Sequence, residues 1–527
     1  MLAASLCALG VLGVGAAVAK PTGVCINGGA CYGTIQAAVD AAHDGDTVRI
    51  APGTYAGGVT IVHSITLQGA GAGKTIISGG GPVLTLGTYR AATEPTISID
   101  GVTITGGVTT TSPESQDFVD EDGVFAYGGG VYVAANSDFS GGATVSISNS
   151  VIANNAVMPT VGLGCSDPCT HFSLAAGGGI YSSGQLTLKN TTVDGNVSGG
   201  PTASKAIGGG ILSAQSGSLT VENSTVSNNR VTVVDPNGTQ ATGGGILSES
   251  GGLVVRNSVV TGNRSELTST KVSVDDAPFF ANVAGIGCDR SATIVNTRIE
   301  ENVVSVTDLQ GQPAAFDSGM GCGNSGGALT LQNSSVSRNR VVATVADTSD
   351  SGADGTAIEF DDTATVANTI IAGNSVSVTT AGGIAGAQGA VLNFAPDPSN
   401  PTTISNTVIK DNTMTTTSAS GAASVQGGGI ANVGALVLRN DVVSGNSGTA
   451  TGSGGFGQGG GIWNGSLYGG DPTLLTIDKT TVTGNTLSGA AGVSLQGAGI
   501  YSDGFTTTLT QSLIARNSPD QCHGLIC

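Results

Sequence analysis

Short runs of alternating aliphatic and polar residues recur along most of this chain, punctuated by glycine and asparagine. One unit is clearest at 177–196, GGGIYSSGQLTLKNTTVDGN. Its second half recurs eleven times. The position three before its final Asn is always Val or Ile, in the order Ile152, Val193, Val226, Val260, Ile299, Val336, Ile371, Ile409, Val443, Val482 and Ile514. A second column is always aliphatic, running from Ile147, Leu188 and Val221 to Ile477 and Leu509. A third, two residues earlier, is mostly aliphatic, with Thr or Val between. A period of two with one apolar side predicts strands that bury one face.

The polar columns are as regular. The copies end at Asn155, Asn196, Asn229, Asn263, Asn302, Asn339, Asn374, Asn412, Asn446, Asn485 and Asn517. A second Asn column, Asn149 to Asn440, is replaced only by Lys479 and Gln511, and the residue after it is Ser or Thr except at Asp441. Units this short cannot bury a face alone, so they must stack. Asn tolerates the left-handed conformation of a sharp corner, and stacked amides form hydrogen-bonded ladders. Glycine triplets let backbones approach closely. The expected fold is therefore all-β: a single-stranded right-handed parallel β-helix of about 13 coils, eleven regular ones and two or three irregular ones within 46–107. Each coil is expected to supply about three strands and to rise about 4.8 Å, giving a rod of roughly 60 Å. The insertions after each Asn leave one corner, so they are expected to form a face of Thr, Ser, Gly and Ala loops suited to weak multivalent binding.

The front of the chain reads differently. In TIQAAVDAAHDGDTVRIAPGTY, Ile35, Ala38, Val39 and Ala42 have helical spacing behind Thr34 as N-cap, which predicts a short helix ending near Gly45 and covering the open end of the solenoid. Residues 1–19 are apolar and end Ala17-Val18-Ala19, the pattern of a secretory signal cleaved before Lys20. The expected organisation is a signal peptide at 1–19, an N-terminal cap at 20–45, the β-helix at 46–517 and a C-terminal tail at 518–527. No later segment reaches the ~20 apolar residues of a membrane span.

TIQAAVDAAHDGDTVRIAPGTY followed by SITLQGAG resembles the opening of many right-handed parallel β-helix proteins of the pectin-lyase-like superfamily. The GGGI and [VI]xxN elements are similar to the GGAI/FxxN repeats of polymorphic outer membrane proteins, with Val or Ile in place of Phe. The resemblance spans roughly 32–517 and implies the fold. Such families hold polysaccharide lyases and hydrolases as well as adhesins, so it does not choose a function.

Composition narrows the function classes. Among 527 residues there are 86 glycines, 4% aromatics, and 18 Lys plus Arg against 37 Asp plus Glu, a formal charge of -19. That balance excludes general affinity for nucleic acid, whose phosphates demand basic side chains. Apart from Cys7 in the signal segment, eight cysteines remain, spaced as Cys25 and Cys31, Cys165 and Cys169, Cys288 and Cys322, Cys522 and Cys527. Disulfides of a secreted or cell-surface protein are the expected reading. Cys288 and Cys322 share a column one coil apart, within disulfide reach when the coils stack in register. Only four histidines exist (His43, His63, His171, His523), and none clusters with the thiols as metal ligands would.

Polysaccharide cleavage needs an acid and a base at defined separation, or a base beside calcium-binding carboxylates. The polygalacturonase motif set is missing. Asp361-Asp362 is the only strand-like acidic pair, and gives the catalytic alternative. Two acidic stretches stand out, one from Glu114 to Asp122 and one from Asp347 to Asp362. Asp120, Glu121 and Asp122 offer oxygen ligands suited to calcium, without EF-hand spacing. Tyr132, Tyr181, Trp463 and Tyr501 lie beside the glycine motif and would suit a carbohydrate surface. The expectation is a monomeric structural, adhesive or glycan-binding repeat protein without cofactor or evident catalytic site, whose partner is a polysaccharide or cell-surface protein. The alternative is a pectate-lyase-like or glycoside-hydrolase-like enzyme that uses an acidic loop, with calcium as its ion.

Overall fold

The computed structural model describes residues 23–527 apart from 114, 116–122, 161–172, 235–239, 250, 270–278, 309–312, 324–326, 347–350, 355–356, 467–472 and 503. The chain is an all-β parallel solenoid. One turn shows the plan. Strands Gln185–Lys189, Thr192–Asp194, Val197–Gly200, Lys205–Ile207 and Ile211–Ser213 follow one another, and each pairs in parallel with its counterpart in the next turn. The five strands build five sheets, here S1 to S5 in that order, with 16, 14, 11, 11 and 14 strands among the described residues. Eleven turns have all five strands. Two shorter ones precede them, as the irregular coils expected within 46–107, and a partial one follows.

Five strands per turn, where three were expected, is the main correction. The insertions after the ladder Asn are not loops: they form S3 and S4. Their own period of two explains this, since Val304 and Val306, Val376 and Val378, and Val425 and Ala423 face inward and are buried. The molecule consequently has two long cores. One lies inside S1, S2 and S5 and holds Leu188, Val193 and Ile211 with their equivalents. The other, between S3 and S4, consists of Ala, Val, Leu and Met. Full burial of each Val, Ile or Leu contributes about 1.5–3 kcal/mol, and stacking makes that gain continuous along the rod.

Register is held by side chains as well as by backbone. In each turn from Asn155 to Asn485, the Asn side-chain amide and backbone N–H both donate to Oδ1 of the next Asn, for example Asn196 to Asn229 at 2.9 and 3.0 Å. The same Nδ2 also donates to a carbonyl of the preceding turn, as Asn196 does to Ile152 at 3.0 Å. The ladder ends where Asn517 donates to Gln521. A different Asn column makes the left-handed corner, with φ of 49° at Asn190 and Asn223, and Lys479 and Gln511 adopt it too. Ser and Thr form a third ladder, as where Thr191 N–H donates to Ser224 Oγ at 3.0 Å. In-register charges pair at the surface, Lys189 with Glu222 at 3.7 Å and Arg338 with Glu301 at 3.0 Å.

At the front, helix α1 spans Ile35–Ala41, and Thr34 Oγ1 accepts the Ala37 N–H at 3.1 Å. Ile35, Ala38 and Val39 join the first core. The helix stops short of Gly45 because Ala42 is extended and Asp46 accepts the His43 N–H at 2.8 Å. Strands Val24–Ile26 and Cys31–Tyr32, closed by the Cys25–Cys31 disulfide, run antiparallel on the edge of S1. At the other end Cys522–His523 extends S5, and Cys522 bonds Cys527. No helix among the described residues is long and apolar enough to cross a membrane.

Candidate functional site: an acidic cavity where the repeat breaks

S4 meets S5 at a corner made by the glycine motif. Its first glycine is left-handed in most turns, with φ of 70° at Gly177, 62° at Gly208, 77° at Gly243 and 73° at Gly427. In two consecutive turns the motif reads Val283-Ala284-Gly285 and Asp317-Ser318-Gly319. Val283 and Asp317 nonetheless keep φ of 42° and 46°. For a β-branched residue that is a strained conformation, of order 1–3 kcal/mol, which persists only where its surroundings over-determine it.

The same turns break a second column. The middle position of the S5 strands points into the corner and reads Tyr132, Tyr181, Leu212, Leu247, Gly287, Gly321, Glu359, Leu392, Ala431, Trp463 and Tyr501 in register. Large side chains on the N-terminal stretch pack with Tyr127 and Ile207, and those on the C-terminal stretch pack around Trp463. Tyr132, Tyr181 and Trp463 are only 2%, 5% and 3% exposed, so the aromatics expected to face a ligand fill the corner instead. Between the two clusters, at Gly287 and Gly321, the filling is missing. A cavity of about 250 Å3 opens there.

Carboxyl groups line it. Asp289, Asp317, Glu359 and Asp361 reach the cavity beside the Cys288–Cys322 disulfide, Asn282 and Phe316. Asp289 and Asp361 share one column with Glu249, since Asp289 N–H donates to Ser248 O, Gly323 N–H to Cys288 O and Asp361 N–H to Cys322 O. Glycine is required between them. A β-carbon at 323 would collide with Asp361, and one at 321 would lie 2.5 Å from Asp317 Oδ2. Burial pushes the Asp361 carboxyl up from the ordinary aspartate range; its hydrogen bond with Glu359 works against that shift, and the Asp362 charge adds to it. Burial likewise raises Asp289, with the Asp361 charge adding, and raises Glu249 against the pull of Lys205. Burial favours the uncharged form of each, and a protonated carboxyl donates as well as accepts hydrogen bonds, which suits a hydroxyl-rich ligand.

The structure separates the pair Asp361-Asp362. Asp361 faces the cavity, while Asp362 accepts the Gly327 N–H at 3.2 Å. Asp120, Glu121 and Asp122, with Cys165 and Cys169, lie outside the described residues. Among the described residues no three His, Cys, Asp or Glu side chains converge as a metal site. Glu249, Asp289 and Asp317 escaped notice in the sequence, although their signal was present: GGGI becomes VAGI and DSGM just where two corner positions become glycine. Local rules that fail together are a mark of a working site. Compared with family models, with curated proteins and with solved structures, the chain matches none.

Proposed function

We propose that this chain is a secreted or cell-surface β-helix that binds a glycan in the acidic corner cavity and presents it on a rigid rod, without turning it over. The observation that carries this reading is the convergence on one cavity of the corner departures Val283, Gly287, Asp317, Gly321 and Glu359. The cavity is just below the ~300–1,000 Å3 of sites for larger ligands, a size suited to a sugar unit. Its walls offer carboxyl, amide and ring groups. The resemblance to pectin-lyase-like proteins and to polymorphic outer membrane protein repeats supports an extracellular setting, as do the three disulfides.

A second reading has its own support. Carboxyls raised by burial are the general acids of glycoside hydrolysis, and Asp361 is one. Binding is preferred because Asp361 is hydrogen-bonded to Glu359, closer than the ~5 Å of a retaining pair, while Asp289 stands two turns away, about 9.6 Å at strand spacing and at the far limit of an inverting one.

A panel of pectin, alginate, glycosaminoglycan and neutral glycans, with and without calcium, tests both. Saturable binding weakened at least tenfold in Asp361→Asn, with no new reducing ends or unsaturated products, is expected. Turnover abolished by Asp361→Asn replaces the binding reading with the enzymatic one. Absence of both binding and turnover removes the function from the cavity.

A further inference from the structure

The outward face of S3 changes character along the rod. From Arg230 to Arg340 it carries charge in three of four turns, with Arg230 and Arg264 paired to Glu266. In the last four five-stranded turns it carries none, although the chain has 18 basic and 37 acidic residues. Strands Ser375–Thr380, Thr413–Ser418, Ser447–Thr451 and Thr486–Gly489 are paired in register. Their outward positions read Ser-x-Ser-x-Thr from Ser375, Thr-x-Thr-x-Thr from Thr413, Ser-x-Thr-x-Thr from Ser447 and Thr-x-Ser from Thr486. The inward partners Val376, Met414, Ala450 and Leu487 are buried, which sets the facing of every hydroxyl residue between them. One column is unbroken threonine from Thr268 to Thr451.

The spacing of such a face is dictated by the sheet. Turns lie about 4.8 Å apart and alternate residues about 6.7 Å apart along a strand. The result is a rectangular grid in which each point offers a hydroxyl, most with a methyl beside it. Both repeats are close to those of water oxygens on a prism face of hexagonal ice. Threonine is stiff about its first side-chain torsion, so the grid is ordered before any partner arrives. Charge points the same way: an uncharged, periodic face on a strongly acidic protein complements a neutral, periodic partner and offers nothing to a polyion. We propose that the Ser375–Ser488 face of S3 binds ice. The activity is separate from the corner cavity, which opens between S4 and S5.

The test uses the purified full chain. Ice grown slowly from a dilute solution is expected to take up the protein, and the solution to show thermal hysteresis with faceted crystals. Thr415→Lys and Thr449→Lys place a cation in the middle of the grid and are expected to lower the ice-bound fraction at least tenfold. Thr187→Lys, on the exposed face of S1, is expected to leave it unchanged, with all three variants melting within a few degrees of the wild type. Asp361→Asn is expected to keep ice uptake whatever it does to glycan binding. Exclusion of the folded wild type from ice overturns the proposal. So does uptake that survives both lysine variants. Adsorption to crystalline cellulose or chitin that Thr415→Lys removes, without ice uptake, reassigns the face to a polysaccharide lattice.

Discussion

Gly210 packs directly against Asn229. A β-carbon at position 210 would lie 2.9 Å from both Cγ and Nδ2 of that asparagine, and 2.5 Å from the Gly245 carbonyl. The same fit recurs between Gly179 and Asn196, Gly245 and Asn263, and Gly461 and Asn485. The third glycine of GGGI and the final Asn of the repeat therefore form one device: glycine gives the amide room to run its ladder across the core.

Gly210→Ala is accordingly expected to destabilise the rod by about 1–3 kcal/mol, through displaced ladder bonds, and Gly210→Val by more. Ala357 and Ala390 mark two turns where alanine stands in this place and the ladder still passes through Asn374 and Asn412, so the smaller substitution leaves the fold intact. Gly252→Ala is the matched control, with nothing within 4 Å of its β-carbon. Urea midpoints at constant m-value separate the cases.

Asp441 interrupts the Ser/Thr ladder with a buried carboxyl. It accepts the Thr407 and Arg439 N–H groups at 2.7 and 2.8 Å, yet burial outweighs them and lifts it from 3.8 to about 6. A carboxyl whose folded value is raised favours the native state most below its unfolded value and loses that contribution as pH rises from about 4 to 6. The loss is of order 3 kcal/mol. Asp441→Ser restores the ladder residue. Its melting temperature is expected to exceed that of the wild type at pH 7.5 and to converge with it near pH 4; a pH-independent difference would show that ionisation is not the cause.

Asp361 and Asp289 carry the same sign of linkage, since burial raises both. Asp361→Asn is therefore expected to raise thermal stability above neutral pH while weakening the ligand, the trade-off of a site kept for function. Paired melting curves and binding isotherms at pH 5 and 8 check it. A variant that loses both stability and binding marks Asp361 as structural.

The Cys288–Cys322 disulfide ties adjacent turns across 34 residues beside the cavity. Loop-closure entropy for that span predicts a loss of about 3–4 kcal/mol in the Cys288→Ser/Cys322→Ser double variant. The comparison to make is its denaturation midpoint against that of the wild type with and without reductant, which should lower the wild type by more than the variant, whose remaining disulfides Cys25–Cys31 and Cys522–Cys527 close only short loops.

Much of the fold was legible in one dimension because stacking turns a sequence period directly into a spatial column. The Ile152-to-Ile514 column, the Asn155-to-Asn517 ladder and the Cys288/Cys322 pairing follow from counting residues, since a parallel solenoid keeps equivalent positions a fixed distance apart. Helix α1 was legible too, from Thr34 and the spacing of Ile35, Ala38 and Val39. What counting missed was the insertions. Their lengths vary, so no single register displays the alternation of Val376 with Val378 beside that of Met414 with Thr416. Only the paired backbone shows that they are two sheets around a second core. The site was hidden for a related reason. Asp289, Asp317, Glu359 and Asp361 come from three turns and three different positions of the repeat, and none is unusual by itself. Tertiary structure decided that Val283 and Asp317 take a glycine's conformation in the same turns that lose their corner side chains, because only a closed corner makes an absent side chain into space.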